Sequence, residues 1–429
     1  MNDPAIIVLL ATFFGLIFLG AHVAIAAITA SIIATWFLGF PLLLVTQNII
    51  DGLNGFAFLA IPFFILAGEI MSQGGISERL VKLSNALVGW MRGGLAMVNI
   101  LASMFFGGIS GSAAADTASL GSILIPIMKK NGYDGEFSTC ITLTSSIQGL
   151  LIPPSHNMVI FALAAGGVSI GRLFLAGLVP GVTLGIILMI FSFILSVIRK
   201  YPKGARFTLI GLLKALNSSI LGLGTVFIVV FGVVTGVFTA TESAAIAVVY
   251  AFIITFVVYR EIPFTAFWGI LGAALRTLSI AMLLIASAGA FGWCIAFLKI
   301  PTLLATWILG IASSKIVILL IINCLLLFLG TMMGMATIIV IMTPILMPII
   351  LQLGMDPVQF GAIMILNTGI GLLTPPVGGV LFLGSAVSGI KVERLSRAML
   401  PFYGVLLVVL VMITFIPQIT MTLPNLLMP

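Results

Sequence analysis

Long apolar stretches without alternation decide what this chain can become. Residues 5–19, 183–198, 221–237 and 405–416 are almost wholly apolar, with no period of two. A barrel strand needs that alternation, whereas a helix needs about 20 apolar residues to cross the hydrocarbon core, so these stretches read as transmembrane helices. Composition agrees: 61% of the 429 residues are hydrophobic and 7% charged. Eighteen Lys and Arg with 11 Asp and Glu cannot solvate a soluble particle of this size. That excludes soluble enzymes and nucleic-acid-binding proteins, so the net charge of +7 is not read as a polyanion signature. The expected class is an all-α integral membrane protein.

The start, Met1-Asn2-Asp3-Pro4, lacks a basic n-region, so the first apolar run is expected to persist as a mature helix. Cys140, Cys294 and Cys324 stand alone in apolar surroundings and read as packing residues. Fifteen of the 18 Lys and Arg fall on one side of the segmented chain, leaving Arg172, Lys299 and Lys315 for the other. The positive-inside rule makes the rich side cytoplasmic and puts both termini outside.

Two segments do not fit simple crossings. Residues 93–128 are apolar between basic ends and interrupted by Gly107-Gly108-Ile109-Ser110-Gly111-Ser112; residues 316–353 have the same form around Gly330-Thr331-Met332-Met333-Gly334. Both are expected to be re-entrant helical hairpins, entering from opposite faces. Sliding the chain over itself by 222 positions aligns Pro41 with Pro263, Gly108 with Gly330, Pro126 with Pro348, Gly132 with Gly354 and Asp134 with Asp356. At the same offset Gly149-Leu150-Leu151-Ile152-Pro153-Pro154 falls on Gly371-Leu372-Leu373-Thr374-Pro375-Pro376, and Arg172 on Arg394. One ungapped offset predicts two repeats, inverted in the membrane as in secondary transporters with a central site. The first, 1–205, divides into scaffold helices 1–92, hairpin 93–128, broken helix 136–166 and closing helix 173–200. The second, 206–429, divides into scaffold helices 206–315, hairpin 316–353, broken helix 356–388 and closing helix 398–420.

The paired prolines carry the chemistry. Proline has no N–H, so Pro153 and Pro154 should leave the carbonyls of Gly149 and Leu150 unpartnered, and Pro375 and Pro376 those of Gly371 and Leu372. Free carbonyls in a membrane belong at a polar cavity or an ion, and oxygen-only ligands suit a hard cation such as Na+. The first expected ion site is Gly107, Gly108, Ser110, Gly149, Leu150 and Pro153 with Asp116; the second is Gly330, Thr331, Gly334, Gly371, Leu372 and Pro375. Two or more sodium ions are expected. The half-helix starting near Ala113 aims its positive end at the first tip, which favours an organic acid. Expected substrate contacts are Ser110, Ser112, Ser155, Asn157, Thr337 and Thr374, while Ser145, Ser146, Asn367 and Thr368 flank the breaks. Glu242, in Thr239-Ala240-Thr241-Glu242, reads as a helix cap, and Glu69 lies near the inner end of a crossing. His156 follows Ser155 directly, a spacing that does not make a hydrolase dyad. Residues 41–55, 75–90, 205–217 and 263–276 are amphipathic and expected in the interface against membrane lipid, with Trp90 and Trp268 at headgroup depth.

The tip residues 107–117, the elements 149–155 and 371–377, and residues 239–243 together resemble the large membrane subunit of the tripartite ATP-independent periplasmic (TRAP) transporters, over essentially the whole chain. The resemblance implies an elevator, in which hairpins and broken helices carry substrate and Na+ past a scaffold in the bacterial inner membrane. It implies two partners, a small four-helix membrane subunit and a periplasmic substrate-binding protein. Its substrates are organic acids, with sialic acid favoured here and C4-dicarboxylates next. One departure stands out: the second tip has Gly334 where many members carry an acid, which leaves backbone carbonyls as the expected second-site ligands. A stand-alone sodium-dicarboxylate symporter, an intramembrane enzyme and a channel are the rival readings. The chain contains no GxxxxGK[ST] nucleotide loop.

Overall fold

The computed structural model describes residues 3–204, 206–311 and 314–428; Met1, Asn2 and the expected repeat boundary at 205 lie outside them. All named elements among the described residues are helical, and the single bridge joins Arg92 and Lys203. Among the described residues six helices are long and apolar enough to cross a membrane, or up to eight if each of two bent pairs counts as one span.

Helix boundaries repeat at the offset of the sequence. The first hairpin is Gly94–Ser110 with Ala113–Lys130; adding 222 gives 316–332 and 335–352, against observed helices Lys315–Met332 and Met335–Gln352. The first broken helix runs Gly135–Leu151 and His156–Ala164, bent by 50°. Its counterpart is Pro357–Gly371 and Gly379–Ser388, with a longer break. Both lie at the centre: residues 137–155 and 358–371 are buried throughout. The Phe161 and Phe360 rings meet across the repeats at 6.2 Å. The second half of each broken helix packs against the second helix of the opposite hairpin, Gly379–Ser388 on Ala113–Lys130 and His156–Ala164 on Met335–Gln352.

Ion pairs follow the same exchange. Arg172, at the start of the closing helix Ile170–Ile198, lies 3.9 Å from Asp356, the N-cap of Pro357–Gly371. Its counterpart Arg394 pairs with Glu136, in the first turn of Gly135–Ser146. The other end of Ile170–Ile198 is held by Arg199, 2.7 Å from Asp134, which also accepts a bond from the Tyr201 hydroxyl at 2.7 Å. Burial pushes the Tyr201 phenol above its usual range, so it stays a proton donor to Asp134. Asp134 and Asp356, which begin the two broken helices, are therefore bound at opposite ends of one 29-residue helix, a separation of about 43 Å at 1.5 Å per residue.

Several expected boundaries are corrected. Residues 206–217 and 263–276 are not separate interfacial segments: they begin the continuous helices Leu209–Val234 and Ala266–Phe297. In the first repeat Leu43–Asp51 and Ala60–Gln73 are split at Gly52-Leu53-Asn54-Gly55, but at the offset of 222 the second has Ala274-Leu275-Arg276-Thr277, which contains no breaker. Charge at Lys214 and Arg276 suggested an interface, yet a long cationic side chain can reach water from a helix that continues. The second closing helix is not one unit over 398–420. Val392–Ala398 meets Leu400–Phe415 at 55°, and Pro417 opens a further helix, Pro417–Leu427.

Candidate functional site

The first hairpin reverses within two residues. Gly111, at φ 60°, caps Gly94–Ser110 and donates its N–H to the Gly107 carbonyl at 2.9 Å. Ser112, extended, starts Ala113–Lys130 and accepts the Ala115 N–H at 3.3 Å. This tip sits on the break of the first broken helix, backbone on backbone. A methyl group on Gly107 would come 2.3 Å from the Gly149 Cα, and one on Gly111 2.7 Å from the Pro154 carbonyl oxygen. From the neighbouring helix Ala60–Gln73, Gly68 closes on Ser110; its added methyl would lie 3.2 Å from the Ser110 carbonyl oxygen.

At the break, the Ile152 N–H bonds the Gln148 carbonyl at 2.8 Å, and the cis-linked Pro153 and Pro154 have no N–H to follow it. Among the described residues no hydrogen bond reaches the carbonyls of Gly149 or Leu150. Ser155 is fully buried and its Oγ has no partner. Ser110 and Asn157 are buried beside it in sequence and at the tip. Unpartnered buried oxygens are costly, and a set made only of oxygens is what a hard monovalent cation takes.

The second site differs. Gly330 meets Gly371 backbone to backbone, an added methyl on Gly371 falling 2.5 Å from the Gly330 Cα. The register is one residue off the sequence match, since Gly107 rather than Gly108 makes the first contact. The expectation of free carbonyls fails here. Thr374 donates its N–H to the Gly371 carbonyl at 3.0 Å, and Val380 and Leu381 donate theirs to Leu372 at 3.1 and 3.3 Å. After Leu372 the chain curls back, so amides beyond the prolines supply what the prolines lack. Val377 also donates to the Thr331 carbonyl at 3.0 Å. The hydroxyls of Thr331 and Thr374 bond back to Phe328 and Ile370 of their own helices. Thr337 is buried, whereas Gly334, Pro375, Pro376 and Val377 are exposed; Pro153 and Pro154 are buried. The first tip is covered, and the second is open.

Asp116 joins a cluster that the sequence reading missed. Ser103, two turns below the first tip, donates to Asp116 Oδ1 at 3.2 Å and lies 2.9 Å from Ser145. Asn99 donates to Thr142 at 2.7 Å and accepts from Ser145 at 3.4 Å. All five are fully buried, and Asp116 Oδ2 has no partner. Gln148, on the same broken helix, is buried with both side-chain polar atoms unpartnered. The signal was spacing: Ser138, Thr142 and Ser145 recur at i, i+4 and i+7, one face of the broken helix. In the second repeat Asn367, the counterpart of Ser145, donates to Asn323 at 2.8 Å, while Asp116 falls on Ile338. Glu242 closes a capping box with Thr239. Glu69 lines a cleft of about 500 Å³ between Ala60–Gln73 and Ala113–Lys130, where Ser72 and Ser119 touch at 2.5 Å. Among the described residues no cluster of His, Cys, Asp and Glu could hold a metal.

The chain is similar over 86% of its length, at TM-scores of 0.63 and 0.60, to the solved structures of the Alcanivorax borkumensis YdaH transporter and Neisseria gonorrhoeae MtrF, covering 87% and 82% of those chains. At 15% and 14% identity these matches speak for the fold alone. The C4-dicarboxylate TRAP transporter large permease protein DctM of Pseudomonas aeruginosa is 38% identical, with 86% of each chain covered. The sialic acid TRAP transporter large permease protein SiaM of Vibrio cholerae is also 38% identical, with 89% of each covered. The 2,3-diketo-L-gulonate TRAP transporter large permease protein YiaN of Escherichia coli is 35% identical, over 97% of this chain and 98% of that one. These relatives are permease subunits, not enzymes. Residues 10–419 match the family model described as tripartite ATP-independent periplasmic transporter, DctM component, and the chain belongs to that family of TRAP large permease subunits, multi-pass membrane proteins of organic-acid uptake.

Proposed function

We propose that this chain drives sodium-coupled uptake of an organic acid by moving its hairpins and broken helices as one body past the scaffold. The observation that carries the reading is the set of buried, unpartnered oxygens where the first tip meets its break: the Gly149 and Leu150 carbonyls and Ser155 Oγ. These residues would hold Na+, with the Asp116 carboxyl, which accepts a hydrogen bond from Ser103, close below the tip. Ser110 and Ser112 offer hydroxyls, and the amides opening Ala113–Lys130 offer positive potential, to a substrate carboxylate. The Gly371 and Leu372 carbonyls of the second break already accept bonds, so no ion is assigned to them. The exchanged ion pairs Arg172 with Asp356 and Arg394 with Glu136 support inverted repeats. They also support re-entrant hairpins that enter from opposite faces.

Energetics permit this. A potential near 100 mV contributes about 2.3 kcal/mol per charge, and a tenfold gradient about 1.4 kcal/mol per ion. Two ions thus supply about 7 kcal/mol, and inward movement of a monoanion costs about 2.3 kcal/mol of it. The partners are a small membrane subunit and a periplasmic binding protein, in the inner membrane with both termini on the periplasmic side. Relatives of equal identity carry the names of C4-dicarboxylate and sialic acid transporters, so identity does not choose between these acids.

The test is uptake into proteoliposomes holding this chain and its small partner, with sialic acid, C4-dicarboxylates and 2,3-diketo-L-gulonate as labelled substrates. Uptake needing both an inward sodium gradient and the binding protein is expected. Uptake with sodium alone would favour the stand-alone symporter, and uptake indifferent to sodium would overturn the coupling.

A further inference from the structure

We infer that the cavity between Ile76–Val88 and the first turns of Leu209–Val234 binds the phosphate-bearing headgroup of an anionic phospholipid. The cavity has a volume of about 530 Å³, and Arg79, Lys82, Arg206 and Lys214 line it with Asn85 and Trp90; no acidic residue does so among the described residues. Arg79 is fixed in place. It pairs with Glu261 at 2.6 Å, lies 3.7 Å above the Tyr259 ring and donates to the Gly75 carbonyl at 3.1 Å. Glu261 balances that one charge. Lys82 has only Glu78 at 3.9 Å, both side chains about two-thirds exposed, and Arg206 and Lys214 have no ion pair among the described residues. Three cations therefore converge on one cavity without adequate counter-charge.

Position distinguishes a lipid from a dissolved anion. Residues 199–208 connect the spans Ile170–Ile198 and Leu209–Val234, so the cavity opens at the end of a span. Its lining also carries apolar surface, with Phe207 and Trp90 each 49% exposed beside the cations. A free phosphate would use the cations and leave this surface idle. A phospholipid uses both, its headgroup on the Lys and Arg side chains and the start of its acyl chains against Phe207 and the Trp90 indole.

The test is native mass spectrometry of the purified full-length chain in detergent, titrated with phosphatidylglycerol or with phosphatidylcholine of matched chains. Phosphatidylglycerol is expected to form a one-to-one adduct at concentrations where phosphatidylcholine does not. The variant Lys82→Gln/Arg206→Gln/Lys214→Gln, altered only at exposed side chains, should bind at least tenfold more weakly with an unchanged melting midpoint. As a second measurement independent of that variant, phosphatidylglycerol with brominated chains should quench fluorescence in the natural chain and lose most of that quenching in Trp90→Phe. Equal binding of phosphatidylcholine, undiminished binding by the triple variant, or quenching unaffected by Trp90→Phe would overturn the proposal. Displacement of the lipid by inorganic phosphate at comparable concentration would assign the cavity to a dissolved anion instead. Loss of a co-purifying membrane protein from the triple variant, with the adduct intact, would make it a protein-docking surface.

Discussion

At Gly107 any side chain collides with backbone, and no rotamer relieves a contact of 2.3 Å with the Gly149 Cα. Replacing a mid-helix glycine by alanine ordinarily stabilises by roughly 0.5–1 kcal/mol. Here the sign should reverse, with Gly107→Ala losing about 1–3 kcal/mol to overpacking. Gly404→Ala, with nothing within 4 Å of the added methyl, is the control and should raise the melting midpoint slightly. Equal shifts for the two variants in detergent would show that the tip does not press on the break. Ser103→Ala removes the one hydrogen bond to the Asp116 carboxyl among the described residues and should cost about 1–3 kcal/mol, the penalty for a buried group left unpaired. The proposed ion site adds a second expectation: Ser155→Ala, which deletes a buried oxygen without touching Ser103, should raise the sodium concentration for half-maximal uptake severalfold. An unchanged sodium dependence would remove Ser155 from the site.

Among elements, the exchanged ion pairs bind each closing helix to the broken helix of the other repeat. Glu136→Arg or Arg394→Glu alone should lower the melting midpoint, and the two together should recover most of the loss. The Arg394 side chain is 75% exposed, so the coupling in a double-mutant cycle should stay below about 1 kcal/mol. Absence of any recovery would show that the pair does not form in the membrane. Sequence reasoning performed unevenly at this scale, for physical reasons. Hairpins and breaks were legible because Gly107 to Ser112 and the Pro-Pro pairs act locally, through backbone freedom and missing amides. The continuity of Ala266–Phe297 was hidden because an arginine at position 276 looks like a terminus until its side chain is seen to reach outward from an unbroken helix. The fate of the Leu372 carbonyl was not legible either, since Val380 and Leu381 reach it only once the chain has curled back. The cluster of Asn99, Ser103, Thr142 and Ser145 needed two helices to be set side by side.

For the whole molecule, the proposed motion requires Ala113–Lys130 to slide past Ala60–Gln73. Ser72 and Ser119 lie 2.5 Å apart on those helices, close enough for a disulfide after Ser72→Cys and Ser119→Cys once Cys324, the exposed cysteine, is replaced. Oxidation should abolish uptake and a reductant should restore it; full uptake by a completely cross-linked sample would exclude sliding between these helices. The helix Ile170–Ile198 gives the same motion an electrical signature. Arg172 at one end faces Asp356 and Arg199 at the other faces Asp134, and both acids belong to the body proposed to move. Two neutral pairs displaced together transfer no charge across the membrane field. Any current recorded from the empty carrier would then come from other groups of the moving body, the buried Asp116 among them, and not from these pairs.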